Sequence, residues 1–92
     1  MVFHLPNIFS PNNDGSNDEW RMYTNNPEEF ISISVFDRYG NFIFHADNIN
    51  ETWDGKYNGQ DVTLGVYVYK VRLICPYDRN EYYILGDVTV IR

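Results

Sequence analysis

The densest group of potential metal ligands is an Asn- and Asp-rich segment, residues 12–18. Its ligand-type side chains are Asn12, Asp14, Asn17 and Asp18. Ca²⁺ takes about six to eight oxygen ligands, which carboxylates and amides supply. However, aligning Gly15 with the glycine of an EF-hand loop puts Arg21 where a bidentate Glu is required. Two interpretations stay open: a calcium site, or a loop whose side chains cap their own backbone amides.

Catalytic groups show no comparable clustering. Cys75 is the only cysteine, and neither His4 nor His45 has the sequence context of a catalytic triad. There is no nucleophile-elbow serine, no His/Cys metal cluster and no phosphate-binding glycine loop. We therefore predict that the protein is not an enzyme and that it has no cofactor, with calcium as the one alternative.

Two other positions combine turn composition with a side chain suited to binding. Arg38 lies in a predicted turn, where its planar guanidinium could bind a partner carboxylate or backbone. We favour the alternative that it pairs with Asp37 or Asp54 inside the domain. Trp53 could be an exposed platform for a partner or a sugar, but beside a turn in a small β domain we favour a core position.

Length and charge limit the remaining classes. Ninety-two residues fit one domain, and an aromatic fraction of 17% can build a small core. The net charge of −6 argues against nucleic acid as a partner and against adhesion to anionic lipid. No apolar run reaches the roughly 18 residues of a membrane-spanning helix, so we expect no direct membrane insertion.

The positioning elements are strands. Period-two alternation between turn formers predicts strands at residues 2–9, 20–23, 30–36, 41–45, 66–75 and 82–91. Gly40 is expected to supply a positive φ in the hairpin turn, and Gly86 to mark a bulge or a close approach. With almost no helical periodicity, the pattern predicts an all-β fold: a single antiparallel immunoglobulin-like β-sandwich of about seven strands.

Four segments in order carry a resemblance to a known family. They are LPNIFSPNNDGSND at residues 5–18, VFDRYGN at 35–41, WDG at 53–55 followed by NG at 58–59 and GVYVY at 65–69, and GDVTVIR at 86–92. In this order and spacing the chain resembles the gliding-motility-associated C-terminal domains of Bacteroidetes, which are type B C-terminal sorting domains of the type IX secretion system. Tyr39 stands where that family usually has Trp.

The resemblance implies a role in protein export. Residues 1–92 would be a type B C-terminal sorting domain, the C-terminal fragment of a larger secreted surface protein such as an adhesin. It would direct this passenger from the periplasm across the outer membrane to the cell surface or beyond. The implied partners are an outer-membrane PorP/SprF-like protein and type IX translocon components.

We expect partner recognition in the motif segments and at the last residue. The residues are Asp14, Gly15, Asn17, Asp18, Arg38, Tyr39, Gly40, Asn41, Trp53, Asp54, Gly55 and Arg92. The terminal strand, residues 86–92, is a further candidate because its edge could pair with a partner strand. The alternatives are a carbohydrate-binding β-sandwich, which needs exposed aromatics on one face, and a structural module of an adhesin.

Overall fold

The protein is described by a computed structural model that covers residues 3–11, 18–75 and 77–91. The described residues form nine strands: β1 (Phe3–His4), β2 (Ile8–Phe9), β3 (Tyr23–Thr24), β4 (Phe30–Phe36), β5 (Phe42–Ala46), β6 (Lys56–Tyr57), β7 (Gln60–Asp61), β8 (Gly65–Ile74) and β9 (Glu81–Val90). One short 3₁₀ turn, Pro27–Glu29, precedes β4. Within these ranges, no helix has the length and apolar character needed to span a membrane.

A five-stranded sheet forms the body of the domain, in the order β2-β9-β8-β4-β5. Its centre is the β8–β9 hairpin, which pairs without a register break from Gly65 opposite Val90 to Ile74 opposite Glu81. All pairs in this sheet are antiparallel except β2 with β9, which is parallel. Two-stranded ribbons, β1–β3 and β6–β7, complete the fold.

One face of the main sheet is covered and forms the core. The buried apolar residues are Phe9, Trp20, Met22, Ile33, Val35, Ala46, Trp53, Tyr67, Val71, Leu73, Val88 and Val90. Trp20 and Trp53 come from segments outside the sheet, and two backbone hydrogen bonds of 2.8 Å join these two residues. Burying two indoles removes a large apolar area from water, which a domain of this size requires. The predicted all-β, sandwich-like fold is confirmed.

The long strands lie where alternation predicts them, whereas the short ones do not. The predicted strand at residues 2–9 is interrupted at Pro6, because proline has no N–H for a ladder and its carbonyl accepts a 2.7 Å bond from Trp20 Nε1. Of residues 20–23, only Tyr23 lies in a strand, in β3.

Gly86 marks a close approach rather than a bulge. The β8–β9 register runs through it unbroken, with Gly86 opposite Tyr69. A Cβ added at Gly86 would lie 2.5 Å from Cζ of Tyr69, so the tyrosine ring occupies the space that a side chain would need. The absence of a side chain at Gly86 therefore leaves room for the Tyr69 ring, which also contacts Trp20 with ring centroids 5.3 Å apart.

Candidate recognition surface

The turn at residues 37–41 is held by one carboxylate. Asp37 Oδ1 accepts hydrogen bonds from the backbone N–H groups of Tyr39 (2.9 Å) and Asn41 (2.8 Å), and Oδ2 accepts one from Asn41 Nδ2 (2.9 Å). The bond from the Asn41 side chain is the largest of the causes that lower the pKa of Asp37 below its usual value. Gly40 has φ +86°, as the turn prediction requires. The turn is thus fixed from within.

Arg38 and Tyr39 project from this turn into solvent. Tyr39 is 78% exposed, and the Arg38 guanidinium carbon lies 5.4 Å from the centre of its ring. The favoured ion pair of Arg38 with Asp37 or Asp54 is not formed. The ion pair is absent because both carboxylates are hydrogen-bonded to nearby backbone amides. Asp37 accepts bonds from the amides of its own turn, and Asp54 Oδ1 accepts one from the backbone N–H of Lys56.

A cleft of about 220 Å³ separates the Arg38 turn from the start of β8. Its other wall is formed by residues 63–67, in which Leu64 and Val66 are 53% and 49% exposed. Tyr67 is buried and its hydroxyl donates a 2.5 Å hydrogen bond to the carbonyl of Thr63, which fixes this wall. The cleft therefore places a cation and a phenol ring opposite two apolar side chains.

The Trp53 segment supports this end of the sheet from inside. Trp53 is 1% exposed, packs edge-on against Tyr67 at a centroid distance of 5.5 Å, and donates from Nε1 to the carbonyl of Lys56. This position agrees with the core interpretation and leaves the indole unavailable as a contact for a partner or a sugar. Gly55 is buried under Pro11, whose Cγ would lie 2.6 Å from an added Cβ, while Asp54 is exposed.

These contacts bring the motif segments to one end of the main sheet. The end of β4 pairs with β8 at Phe36 opposite Val68, and the start of β8 pairs with the end of β9 at Gly65 opposite Val90. On the far side of β9, β2 ends beside Val90, and residues 10 and 11 continue from it. We call residues 9–11, 37–41, 53–55 and 63–67 the motif end.

A comparison with protein families identifies the family of the chain. The model of the CHU_C type IX secretion signal domain matches residues 3–85, which is most of the chain. The chain belongs to this family. The CHU_C domain is thus a secretion signal that interacts with the type IX secretion machinery and leads to export to the cell surface or the extracellular space. No curated protein and no solved structure gives a significant match.

Family membership also bears on catalysis. A secretion signal domain is not a catalytic family, which is consistent with the prediction that the chain is not an enzyme. Among the described residues, no group of three or more His, Cys, Asp or Glu side chains could hold a metal ion.

Several predicted recognition residues of the CHU_C domain fall outside the described ranges. These are Asp14, Gly15, Asn17 and Arg92, and Asn12 of the predicted calcium ligands also lies outside these ranges. Asp18 is described and half-buried. The calcium interpretation of residues 12–18 therefore stays a prediction.

The edge of the terminal strand, which we expected to be available to a partner strand, is partly occupied within the domain. β2 occupies it near its end, where the N–H groups of Thr89 and Ile91 donate to the carbonyls of Asn7 and Phe9. Sequence reasoning also missed Leu64 and Val66 as walls of the cleft. Nothing in a short apolar pair after a loop distinguishes it from an ordinary strand start.

Proposed function

We propose that this domain directs a larger secreted passenger across the outer membrane to the cell surface by presenting its motif end to a PorP/SprF-like outer-membrane protein. The observation that supports the proposal is the convergence of residues 9–11, 37–41, 53–55 and 63–67, which include described parts of the family's motif segments, on one end of the sheet. The packing of the fold is enough to explain why Trp and Gly stand at positions 53 and 55, because Trp53 and Gly55 are buried. It does not explain the side chains of Arg38 and Tyr39, which are exposed and contact each other without a side-chain hydrogen bond to the rest of the described residues.

The chemistry of the motif end suits protein recognition. Arg38 offers a planar set of N–H donors for a carboxylate or a run of carbonyl oxygens, and Tyr39 offers an aromatic face with a hydroxyl. Leu64 and Val66 add apolar area across the cleft. Because the hydrogen bonds of Asp37 fix the turn beforehand, binding costs little ordering of the backbone.

No observation favours the carbohydrate-binding alternative. Such a module needs exposed aromatic rings on a single face. Both tryptophans are buried, at 0% and 1% exposure, and the two most exposed tyrosines, Tyr39 at 78% and Tyr77 at 94%, lie in turns at opposite ends of the sheet.

Reporter export tests the proposal. Residues 1–92 are placed behind a signal peptide and a reporter in a host that has the type IX system and the cognate PorP/SprF-like protein. We expect the reporter outside the cell. Arg38→Ala should reduce the affinity for the PorP/SprF-like protein by about tenfold, the value of a lost charged hydrogen bond. The exported fraction should fall with it.

The matched control is Arg79→Ala, an exposed arginine in the turn between β8 and β9, at the other end of the sheet. It removes the same charge and should leave export unchanged. Periplasmic retention of the unmodified fusion, with the partner present, would contradict the sorting role. Equal export of both arginine variants would contradict the role of the motif end.

A further inference from the structure

Strand β9 has a long edge that nothing in the described part of the chain covers. Thr89 and Ile91 donate their N–H groups to β2, and backbone groups alternate between the two sides of a strand. The N–H and C=O groups of Glu81, Tyr83, Leu85 and Asp87 therefore face the same side as those of Thr89. No described residue forms a backbone hydrogen bond with them there. We call residues 81–87 the open edge.

The open edge lacks most of the features that block pairing between sheets. Proteins protect edge strands by prolines, bulges, short length or charges. The open edge contains no proline, and the β8–β9 register has no irregularity along it. Its charges stand only at its two ends, Glu81 and Asp87, and Leu85 between them is 70% exposed.

A second cleft lies near the turn between β8 and β9. It has a volume of about 330 Å³, with Phe3, Leu73, Cys75, Tyr77 and Tyr82 among its lining residues. In strand addition, backbone bonds supply affinity and pockets beside the edge receive alternate side chains. Tyr82 is the one lining residue that belongs to β9, and Leu73 and Ile74 belong to β8, so the cleft lies on the β8 side of Tyr82 and not beside the open edge. The affinity of the open edge for a strand would therefore come from its backbone groups.

We propose that the open edge is a strand-addition site for an extended, basic and apolar segment of the partner protein in the secretion machinery. This inference rests on the proposed function. Only an extended backbone matches the alternating N–H and C=O groups of a strand edge. β2 already uses the last part of this edge in that way, so an added strand continues an existing line of pairing.

Charge decides between a partner strand and a second copy of the chain. No described Lys or Arg side chain forms an ion pair with Asp87, while Glu81 is paired with Arg72. In an antiparallel pair of two copies centred on Ile84, Glu81 lies opposite Asp87, and like charges directly opposite each other destabilise a sheet. Each copy also carries a net charge of −6. A Lys or Arg of a different chain opposite Asp87 is favourable.

Proline at position 85 tests the backbone contribution. The N–H of Leu85 faces the open side, so Leu85→Pro removes no bond between β8 and β9, and proline is tolerated on edge strands. Leu85→Ala is the matched control, because it shortens the side chain and keeps the N–H. Binding of residues 1–92 to the purified PorP/SprF-like protein is measured in detergent for both variants, together with the melting temperature of each.

We expect Leu85→Pro to weaken binding by about tenfold or more and Leu85→Ala by about threefold or less. Equal losses for the two variants, or no loss for Leu85→Pro, would overturn the proposal. The proposal would also be overturned if the wild-type domain is a dimer in sedimentation and the Leu85→Pro variant is a monomer, because a second copy would then occupy the open edge. Tyr83→Pro, whose N–H faces the same side, replaces Leu85→Pro if the latter does not fold.

Amide exchange on the wild-type complex gives a readout that needs no variant. The amides of Tyr83, Leu85 and Asp87 should exchange fast in the free domain and slow by about tenfold or more on binding. Those of Ile84 and Gly86, which face β8, should change little; no slowing at the open edge would overturn the inference. Export of the wild-type reporter tests the proposed function separately. If the wild-type reporter is exported and the Leu85→Pro reporter is exported equally well, strand addition is overturned and the sorting role stands. If the wild-type domain is neither exported nor bound by the PorP/SprF-like protein, both the sorting role and strand addition are overturned.

Discussion

Asp37 is the residue on which the shape of the exposed turn depends. Its carboxylate accepts three hydrogen bonds from the two residues Tyr39 and Asn41. These bonds favour the charged form and lower the pKa of Asp37. A carboxyl whose pKa is lower in the folded state contributes stability above its unfolded pKa and loses it as the pH falls through the folded value. The turn should therefore loosen only under acidic conditions.

Asn41→Ala should raise the pKa of Asp37 toward its usual value. The variant removes the side-chain bond, which is the largest cause of the lowering, and leaves the backbone bonds in place. NMR titration of the Asp37 carboxyl carbon measures the shift. Asp78 is the internal control: its pKa is lowered mainly by the backbone amide of Asn80 and should not move. An unchanged Asp37 pKa would contradict this account of the turn.

Trp53→Ala should destabilise the domain by roughly 3–5 kcal/mol, because it removes a fully buried indole and leaves a cavity. That is a large part of the roughly 5–15 kcal/mol that typical domains have. Chemical denaturation measures the free energy of unfolding. Tyr77→Ala, at a residue 94% exposed, is the control and should change it by less than about 0.5 kcal/mol. A loss below about 1 kcal/mol for Trp53→Ala would argue against the core role.

At the scale of elements, the β8–β9 hairpin organises the domain. Its ten paired positions place Tyr67, Val71 and Leu73 of β8 and Val88 and Val90 of β9 on the core side. On the outward side of the hairpin, side chains of the two strands contact each other. Lys70 Nζ lies 4.4 Å from the ring centre of Tyr83, and Arg72 pairs with Glu81.

Gly86→Ala should lower stability by roughly 1–3 kcal/mol, the usual cost of overpacking. The new Cβ would meet the ring of Tyr69 at 2.5 Å from Cζ, inside contact distance. In a domain of this size, each kcal/mol shifts the melting temperature by about 4–8 °C. The control is the same change in a Tyr69→Leu background, where the shorter side chain makes room and the cost should fall. Equal costs in both backgrounds would contradict the close approach as the reason for glycine.

Long strands were predictable and short ones were not. β4, β5, β8 and β9 lie within one or two residues of the predicted ranges because five or more alternating residues give a clear period. β1, β2, β3, β6 and β7 have two residues each, too few to show a period. The parallel pairing of β2 with β9 joins residues about 80 positions apart, and no local pattern specifies such a contact.

The recognition surface was predictable only where local sequence determines the structure. The turn at residues 37–41 follows from Asp, Gly and Asn at turn positions, and the core position of Trp53 from its place beside a turn. The expected ion pair of Arg38 failed because Asp37 and Asp54 bind nearby backbone amides, a short-range competition that residue types alone do not resolve.

At the scale of the whole molecule, the net charge of −6 raises the question whether the domain binds a cation such as calcium. We expect the melting temperature to be the same in millimolar calcium and in EDTA, as the backbone-capping interpretation of the sequence at residues 12–18 predicts. A bound ion would instead raise stability by RT ln(1 + [L]/Kd), about 2.7 kcal/mol at 100 Kd. A calcium-dependent rise that Asp14→Ala with Asp18→Ala removes would assign calcium to this loop.

The pairing of β2 with the end of β9 has a consequence for the order of events during synthesis. Phe9 is among the first core residues to leave the ribosome, yet the strand beside it, with Val88 and Val90, is among the last. Until that strand emerges, β8 lacks its longest partner and the core stays open. A chain interrupted before residue 88 cannot assemble the motif end. Under the proposed function, copies that terminate before β9 is translated therefore lack the surface that the PorP/SprF-like protein recognises.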